Sequence, residues 1–249
     1  MRLDYFLIEK RIFESRTKAK QAIERGEIFV NGKKIEKPAF LVSQADNVEY
    51  RREEQYVSLG GYKLNKALKD FNYDANGLTV VDLGCSTGGF TDCLLQNGAK
   101  KVYAVDLNDK LLHQKLKYDP KVVYLIKNVK DIKAEDFYEK IDLFTVDLSF
   151  ISSTVIFETV SKILEKGKDV ILLIKPQFEN DKKTSFKNGI IKDEKIRYSA
   201  CEKIVSKALE FGLYPHKFTV APENKEKNTE YLILLRKDIQ NNFNLKEYF

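Results

Sequence analysis

Two charged residues of this chain each follow a run of apolar residues long enough to form a buried strand. Asp147 follows Leu143-Phe144-Thr145-Val146, and Lys175 follows Val170-Ile171-Leu172-Leu173-Ile174. Ligands of an open α/β sheet bind in the crevice beyond the carboxyl ends of its strands. A polar residue at a single strand end is common, but a carboxylate and a lysine at two such ends, beside a ligand-binding turn, predict a catalytic pair that moves a proton.

A third apolar run leads directly into a turn of small residues, Val80-Val81-Asp82-Leu83-Gly84-Cys85-Ser86-Thr87-Gly88-Gly89-Phe90. Its glycines let the backbone approach a ligand, and the helix that follows offers free N–H groups. A dinucleotide-binding turn requires glycine where this chain has Ser86. The pattern Asp-x-Gly-x-x-x-Gly therefore favours S-adenosylmethionine as the cofactor.

Further polar residues are expected to hold this cofactor. Asp106 ends the next apolar run about twenty residues after the turn, where a carboxylate usually binds ribose hydroxyls. Asn128 is expected either at the adenine of the cofactor or as a simple turn former. Asp82 is expected to hold the turn or to contact the positively charged methionine end of the cofactor through water. The predicted cofactor-binding residues are Asp82, Gly84, Ser86, Thr87, Gly88, Gly89, Phe90, Asp106, Asn128 and Asp147.

The composition is that of a globular protein, with 43% hydrophobic residues among 249 and a formal net charge of +6. No apolar run approaches the roughly 20 residues that cross a bilayer. The first residues do not resemble a signal peptide, so we expect a cytoplasmic protein. The three cysteines form no Cys-x-x-Cys pair, which predicts reduced thiols and no metal site.

The elements that must position these residues alternate between strand-like and helix-like runs from about residue 58 onward. This alternation predicts an α/β domain with a Rossmann-like, parallel, doubly wound sheet. The runs are Leu78–Gly84, Phe90–Asn97, Lys101–Asp106, Leu111–Lys117, Val122–Lys127, Ile141–Leu148, Thr154–Glu165, Asp169–Lys175, Ile196–Phe211, Lys217–Val220 and Tyr231–Arg236. The polar segment 51–57 predicts a linker, outside either core, between residues 1–50 and 58–249.

Residues 1–50 are predicted to form a small α+β module. Two short helices are expected at Leu3–Lys10 and Ser15–Arg25, the second capped by the Ser15 side chain and ended by Gly26. A hairpin is expected around the tight turn Asn31-Gly32.

The module resembles the S4 RNA-binding domain. The motifs that carry this resemblance are Arg2-Leu3-Asp4, Ser15-Arg16-Thr17-Lys18-Ala19, Ile23-Glu24-Arg25-Gly26, Val30-Asn31-Gly32 and Lys37-Pro38. Ten basic and six acidic residues fall within residues 1–45, so much of the positive charge of the chain lies here. Any one lysine is more often simply solvated, but on this pattern the basic set predicts contacts with RNA phosphates. The predicted RNA-binding residues are Arg2, Ser15, Arg16, Lys18, Lys20, Arg25, Lys33 and Lys34.

Motifs spread over nearly the whole chain carry a second resemblance. They are Gly60-Gly61-Tyr62-Lys63-Leu64, Asp82–Asp92, Val102–Asp106, Asp147–Ile151, Lys175–Glu179 and Asn228–Tyr231. In this order they resemble the TlyA family, also called hemolysin A, which joins an S4 domain to an FtsJ-like ribose 2′-O-methyltransferase. The resemblance implies a catalytic tetrad of Lys63, Asp147, Lys175 and Glu230. It also implies a cytidine 2′-hydroxyl of ribosomal RNA as the methyl acceptor, with the large subunit favoured by the short termini.

The chemistry explains why such residue types are needed. A ribose 2′-hydroxyl is a weak nucleophile and must lose its proton as it attacks the methyl group in line. We expect Lys175 to accept this proton and Lys63 to support the developing alkoxide, with Asp147 and Glu230 orienting the two lysines. Burial and a second ammonium favour a neutral lysine, whereas carboxylates favour the charged form, so the sign of their combined effect stays open.

Three other functions compete with this prediction. An S4-type RNA-binding protein without catalytic activity is disfavoured by the intact tetrad. Membrane lysis, suggested by the hemolysin name, would require a spanning or strongly amphipathic segment, and none is visible. A dehydrogenase on the same sheet is disfavoured by Ser86, and a thermal shift with either cofactor would distinguish it. Leu59 and Tyr56 depart from the Arg and Trp that the family often has, so a role of the linker in cofactor binding stays open.

Overall fold

The computed structural model describes residues 1–51, 55–180, 189–222 and 227–249. The chain divides into two compact units, Met1–Gln55 and Tyr56–Phe249. Residues 52–54 of the predicted linker lie outside the described residues. Tyr56, which we predicted outside both cores, is buried in the second unit. That prediction was wrong because the Tyr56 ring packs edge-on against Tyr62 and over Gly61, where no side chain stands in its way.

The first unit is a small α+β module. Its elements are α1 (Leu3–Glu9), α2 (Arg16–Glu24), β1 (Ile28–Val30), β2 (Lys33–Ile35) and β3 (Val48–Tyr50). The cap on α2 is confirmed, because Ser15 Oγ accepts a hydrogen bond from the Lys18 backbone N–H at 3.3 Å. The hairpin is also confirmed, with β1 between β2 and β3 in an antiparallel sheet. We did not predict β3, since three residues are too few to show an alternating pattern.

The second unit is an α/β domain built on one large sheet. Its elements are α3 (Leu59–Asp70), β4 (Thr79–Leu83), α4 (Gly89–Gln96), β5 (Lys101–Asp106), α5 (Gln114–Lys117), β6 (Val122–Ile126), β7 (Leu143–Val146), α6 (Phe157–Ile163), β8 (Asp169–Ile174), α7 (Pro176–Glu179), α8 (Glu194–Glu210), β9 (Leu213–Val220) and β10 (Tyr231–Lys237). Within the described residues, seven strands are ordered β6-β5-β4-β7-β8-β10-β9.

The alternation of runs predicts a sheet that is parallel throughout. That prediction was wrong for one strand. Strand β10 is inserted between β8 and β9 and runs antiparallel to both. Strands β4 to β8 pair in parallel as expected. Because β10 is reversed, its first residue lies at the edge of the sheet where β8 ends.

Two helical predictions also need correction. The run Leu111–Lys117 is helical only at α5, and Thr154–Glu165 divides into a 3-10 turn at Ser153–Ile156 followed by α6. Helix α3, which carries Lys63, was not predicted, because its two glycines weaken the helical pattern. No helix in the described ranges is long and apolar enough to cross a membrane.

The core lies on both faces of the sheet, which is why its central strands are apolar at nearly every position. Every residue of β4 and of β8 is buried. Alternate residues face opposite layers: Val80 and Ile171 pack with α3 and α4, whereas Val81 and Leu172 pack with α6 and α8. The polar residues of the site lie outside this core, at the carboxyl ends of β4, β7 and β8.

Candidate active site

The turn after β4 is shaped by backbone conformations that bring it close to neighbouring segments. Gly84 has φ +79°, and a Cβ atom there would lie 2.7 Å from the carbonyl oxygen of Asp147. A Cβ atom at Gly89, where α4 begins, would lie 2.3 Å from Ser58 Oγ and 2.8 Å from the backbone nitrogen of Gly61. Glycine is therefore required at both positions by the close approach of neighbouring protein atoms.

A cavity of about 200 Å³ opens beside this turn. Of the predicted residues it is lined by Gly84, Ser86, Thr87, Gly89, Phe90, Asp147 and Lys175. It is also lined by Ser58, Gly60, Cys85 and Ser149, which we did not predict as site residues. Gly60 lies within the motif around Lys63, and Ser58 lies just before it. Ser149 lies in the motif that begins at Asp147. These motifs could therefore have pointed to all three residues. Burial raises the pKa of the Cys85 thiol, which disfavours the thiolate.

The remaining predicted cofactor residues, Asp82, Gly88, Asp106 and Asn128, are not among those that line the cavity. The Ser86 backbone N–H donates to Asp106 Oδ2 at 2.9 Å, which holds Ser86 at φ +49° and keeps Asp106 next to the turn. Gly88 is buried, with φ +95°, under the side chains of α5 and its preceding loop. Asn128 acts as a turn former, since its Oδ1 accepts from the Lys130 backbone N–H at 3.0 Å.

Asp82 has no exposed surface and holds the turn from inside. It accepts hydrogen bonds from Thr91 Oγ1 of α4 at 2.6 Å and from Thr145 Oγ1 of β7 at 2.9 Å. Burial raises the pKa of Asp82 to about 7, although both threonine hydroxyls act in the opposite direction. Of the two roles we predicted, the geometry matches the structural one.

Lys175 and Asp147 meet at the cavity wall as predicted for a pair of strand ends. Lys175 Nζ lies 2.6 Å from Asp147 Oδ1 and donates to Ser149 Oγ at 2.7 Å. The two side chains are 11% and 21% exposed, so the pair is largely shielded from water but still reachable from the cavity. Asp147 Oδ1 itself is buried, and its contact with Lys175 is an ion pair rather than a hydrogen bond of good geometry.

Lys63 and Glu230 form the second pair. Lys63 Nζ lies 2.5 Å from Glu230 Oε2, with 24% and 14% of the side chains exposed. Because β10 is antiparallel to β8 and Tyr231 pairs with Ile174, Glu230 leaves the sheet at the same edge as Lys175. Each lysine therefore has a carboxylate partner, and both pairs lie at the edge that carries the cavity.

An exposed aromatic residue stands beside the first pair. Phe150 is 91% exposed and has φ +67°, an unfavourable conformation for a bulky side chain. Its ring lies 5.2 Å from the ring of Phe178, and Lys175 Nζ lies 6.0 Å from the Phe178 ring. Sequence reasoning did not select Phe150, because nothing in the sequence distinguishes an exposed phenylalanine from a buried one.

In the first unit, the predicted RNA-binding residues are partly arranged by local contacts. Arg2 and Arg16 both donate to the buried Asp4, at 3.0 and 2.9 Å. Although burial acts in the opposite direction, these two bonds lower the pKa of Asp4. The Arg16 guanidinium also lies 4.1 Å from the ring of Tyr5. Both arginines remain 41% exposed, so they are fixed in place yet still accessible to a ligand.

The other predicted RNA contacts differ in how they are held. Ser15 caps α2, Lys18 pairs with Glu14, and Arg25 pairs with Glu27. Lys34 pairs with Glu36. Within the described ranges Lys20 and Lys33 form no ion pair. Exposed surface ion pairs are weak, so the paired residues Lys18, Arg25 and Lys34 can exchange a carboxylate for a phosphate at little cost.

Comparison with known proteins gives two family matches. Residues 56–237 match the FtsJ-like methyltransferase model, and residues 1–48 match the S4 domain model. Hemolysin A from Brachyspira hyodysenteriae is 40% identical over 93% of this chain and 98% of its own length. The 16S/23S rRNA (cytidine-2′-O)-methyltransferase TlyA from Mycobacterium tuberculosis is 33% identical over 94% of this chain and 89% of its own length. The 23S rRNA (cytidine-2′-O)-methyltransferase TlyA from Campylobacter jejuni is 31% identical over 93% of this chain and 97% of its own length.

Proposed function

The chain belongs to the FtsJ-like methyltransferase family, and we propose that it transfers a methyl group from S-adenosylmethionine to the 2′-hydroxyl of a cytidine in ribosomal RNA. The observation that carries this proposal is the lysine pair at the sheet edge. Lys175, held by Asp147 and Ser149, lines the same cavity as the glycine turn. Lys63, held by Glu230, lies at that edge. A methyl donor in the cavity would thus lie next to a base and a second cation.

The residues around the cavity fit S-adenosylmethionine. The turn at Gly84 and Gly89 has no room for side chains, and α4 begins at this turn, where the first N–H groups of a helix lack partners within the helix. Asp106 lies against the turn, where its carboxylate can accept ribose hydroxyls. When bound, the cofactor supplies an electrophilic methyl group on a sulfonium.

In the proposed mechanism the chain's own residues position the acceptor and take its proton. The ribose hydroxyl donates to Lys175 Nζ, which receives the proton as the new carbon–oxygen bond forms and the carbon–sulfur bond to the transferred methyl group breaks. Asp147 and Ser149 fix the direction of Lys175 Nζ through their contacts at 2.6 and 2.7 Å. Lys63, oriented by Glu230, stabilises negative charge on the oxygen. Positioning of this kind contributes because the reacting atoms must approach in line.

The choice of acceptor rests on the first unit and on the relatives. An S4 domain with fixed, exposed arginines supports an RNA acceptor. The two TlyA relatives have names that specify cytidine 2′-O-methylation, and 23S rRNA is the acceptor that both names share. We therefore propose large-subunit RNA as the principal acceptor. Such an acceptor implies that the protein works in the cytoplasm.

The exposed ring of Phe150 supports an acceptor that is a nucleotide. Single-stranded or extruded bases stack on aromatic side chains. Phe150 offers a free face beside Lys175, whose Nζ must reach the ribose of the same nucleotide.

Transfer of labelled methyl groups tests the proposal. Unmodified large subunits, small subunits and free ribosomal RNA are each incubated with the protein and labelled S-adenosylmethionine. We expect label in large-subunit RNA with the wild type and none with Lys175→Ala. Lys168→Ala is the matched control, because Lys168 pairs with Asp142 at the opposite end of β8, and it should retain activity. Absence of label with wild-type protein that binds the cofactor would instead favour an RNA-binding protein.

A further inference from the structure

Glu179 is a buried carboxylate that the proposed mechanism does not use. It is the last residue of the short helix α7, which begins directly after Lys175, and it is only 2% exposed. Glu179 Oε1 accepts from the Ser153 backbone N–H at 2.8 Å, and Oε2 accepts from Ser152 Oγ. A buried carboxylate is costly unless its oxygens are hydrogen-bonded. Here both bonds are directed at one segment, the loop that follows β7.

That loop, residues 147–153, is bonded at both ends to the segment that carries Lys175. At its beginning, Lys175 contacts Asp147 and Ser149. At its end, Glu179 holds Ser152 and Ser153. Phe150 lies between the two attachments in its unfavourable φ +67° conformation, with its ring against Phe178. A loop with such a residue persists only when surrounding contacts hold it.

We propose that Glu179 is a positioning residue that keeps this loop fixed, and through it keeps Ser149 and Asp147 at Lys175 and the Phe150 ring against Phe178. Its effect on methyl transfer rests on the proposed function, whereas its effect on the loop does not. Without Glu179, the loop loses both hydrogen bonds at its end, and Phe150 can leave the left-handed region.

The competing explanation is that Glu179 merely stabilises the 3-10 turn Ser153–Ile156. That turn already has a cap, because Ser152 Oγ accepts from the Thr154 backbone N–H at 3.3 Å. A purely structural role predicts a loss of folding stability without a specific change at Phe150 or in the reaction. Glu179→Gln distinguishes the two, because its amide oxygen can still accept from Ser153 and its amide group can donate to Ser152.

The first test follows the loop directly and needs no activity. The chain contains no tryptophan, so Phe150→Trp introduces a single tryptophan, which can be excited apart from the 13 tyrosines, at a position where the side chain is exposed. We expect the anisotropy of this tryptophan to fall when Glu179→Ala is added and to stay near the parent value with Glu179→Gln. Asp169→Asn is the matched control, since Asp169 is also buried but pairs with Arg236 at the other end of β8. Equal anisotropy with Glu179→Ala and with the control would overturn the proposal.

The second test separates positioning from stability in the reaction. We expect Glu179→Ala to lower kcat about 10-fold to 100-fold, with little change in the Kd of S-adenosylmethionine, and Glu179→Gln to restore most of kcat. Ser152→Ala should lower kcat less, and its effect should be non-additive with Glu179→Ala because the two side chains touch.

The outcomes of the two tests are distinguishable. A kcat loss with Glu179→Ala no larger than that of Asp169→Asn would overturn the effect on the reaction. If the wild type fails to methylate RNA, the proposed function is wrong, and the anisotropy still decides whether Glu179 holds the loop. If Glu179→Ala does not fold, Ser152→Ala removes one of the same two bonds, and an unchanged tryptophan anisotropy in that variant would overturn the proposal.

Discussion

At the scale of single residues, the proposed mechanism gives different tasks to two similar lysines. Lys175 lines the cavity and contacts two oxygen atoms of the loop after β7, so it is placed to take a proton. Lys63 is not among the cavity-lining residues and contacts Glu230. Its charge can stabilise an alkoxide without contact with the cofactor.

Replacing Lys63 should therefore affect the reaction and spare cofactor binding. We predict that Lys63→Ala lowers kcat about 100-fold and leaves the Kd of S-adenosylmethionine within a factor of about two of wild type. Lys66→Ala, one turn further along α3, removes a lysine that pairs with Asp70 and serves as the control. Calorimetric titration and single-turnover transfer measure the two quantities. A large loss of cofactor affinity in Lys63→Ala would contradict the assignment.

Asp82 gives a prediction about stability and pH. Its pKa is raised to about 7 by burial, whereas an aspartate in an unfolded chain titrates near about 3.9. Between these values the folded chain keeps a proton that the unfolded chain has released, so the free energy of unfolding falls as pH rises and levels off above about pH 7. Asp82→Asn removes this contribution. Its stability relative to wild type should therefore increase from about pH 5 to 8.

Urea unfolding of both proteins without cofactor measures this difference at several pH values. Asparagine keeps the size of the side chain and can still bond to Thr91 and Thr145, which limits other effects. A difference in stability that is constant over the range would show that Asp82 does not titrate there.

At the scale of elements, α3 and α4 are joined by glycines at the cavity. Gly89 of α4 packs against Gly60 and Gly61 of α3, with no space for an added Cβ atom. Helix α3 carries Lys63, and α4 begins at the cofactor turn. The contact therefore fixes the distance between the second lysine and the cofactor site.

A methyl group at this contact should disturb both stability and binding. We predict that Gly89→Ala lowers the free energy of unfolding by about 1–3 kcal/mol and weakens S-adenosylmethionine binding, because Ser58 and Gly61 must move. Lys69→Ala at an exposed position of α3 should change neither. Thermal unfolding with and without cofactor gives both values, and wild-type behaviour of Gly89→Ala would contradict the close contact.

The elements also show what the sequence could and could not predict. Asp147 and Lys175 were predictable because each ends an apolar run, and strand ends of a parallel sheet share one edge. The position of Glu230 depends on the reversed direction of β10, since in a parallel strand the preceding residue would lie at the opposite edge. No local pattern reveals that direction.

The other unpredicted features depend on contacts distant in sequence. Ser58 lies at the turn because α3 packs on α4, and Glu179 reaches Ser153 across 26 residues. The left-handed conformation of Phe150 likewise follows from its attachments, because local preference opposes it. Tyr56 was assigned to a linker because its polar neighbours conceal that its ring has a place in the core.

At the scale of the whole molecule, the family matches assign the two units to different tasks. The S4 match covers the first and the FtsJ-like match the second, which confirms the predicted S4 domain and methyltransferase family. The Rossmann-like α/β fold is confirmed by the sheet, apart from the direction of β10. Arg2 and Arg16, fixed by Asp4, provide ordered positive charge in the first unit.

RNA binding through that unit should depend on salt. Each phosphate contact that is lost reduces the steepness of the salt dependence by about one. We predict that Lys20→Ala and Lys33→Ala each weaken binding of ribosomal RNA and reduce this slope. Lys140→Ala in the second unit removes one positive charge from a pair with Glu165 and should have a smaller effect. Filter binding at several salt concentrations measures the slopes, and equal slopes in all variants would contradict RNA contact by Lys20 and Lys33.

The chemical identity of the product tests the proposed function most directly. After transfer of labelled methyl groups to large-subunit RNA, the RNA is digested to nucleosides and the labelled nucleoside is identified by mass spectrometry. We predict 2′-O-methylcytidine with wild type and with Lys168→Ala, and none with Lys175→Ala. A base-methylated nucleoside, or 2′-O-methylcytidine at wild-type levels with Lys175→Ala, would contradict ribose methylation with Lys175 as the base.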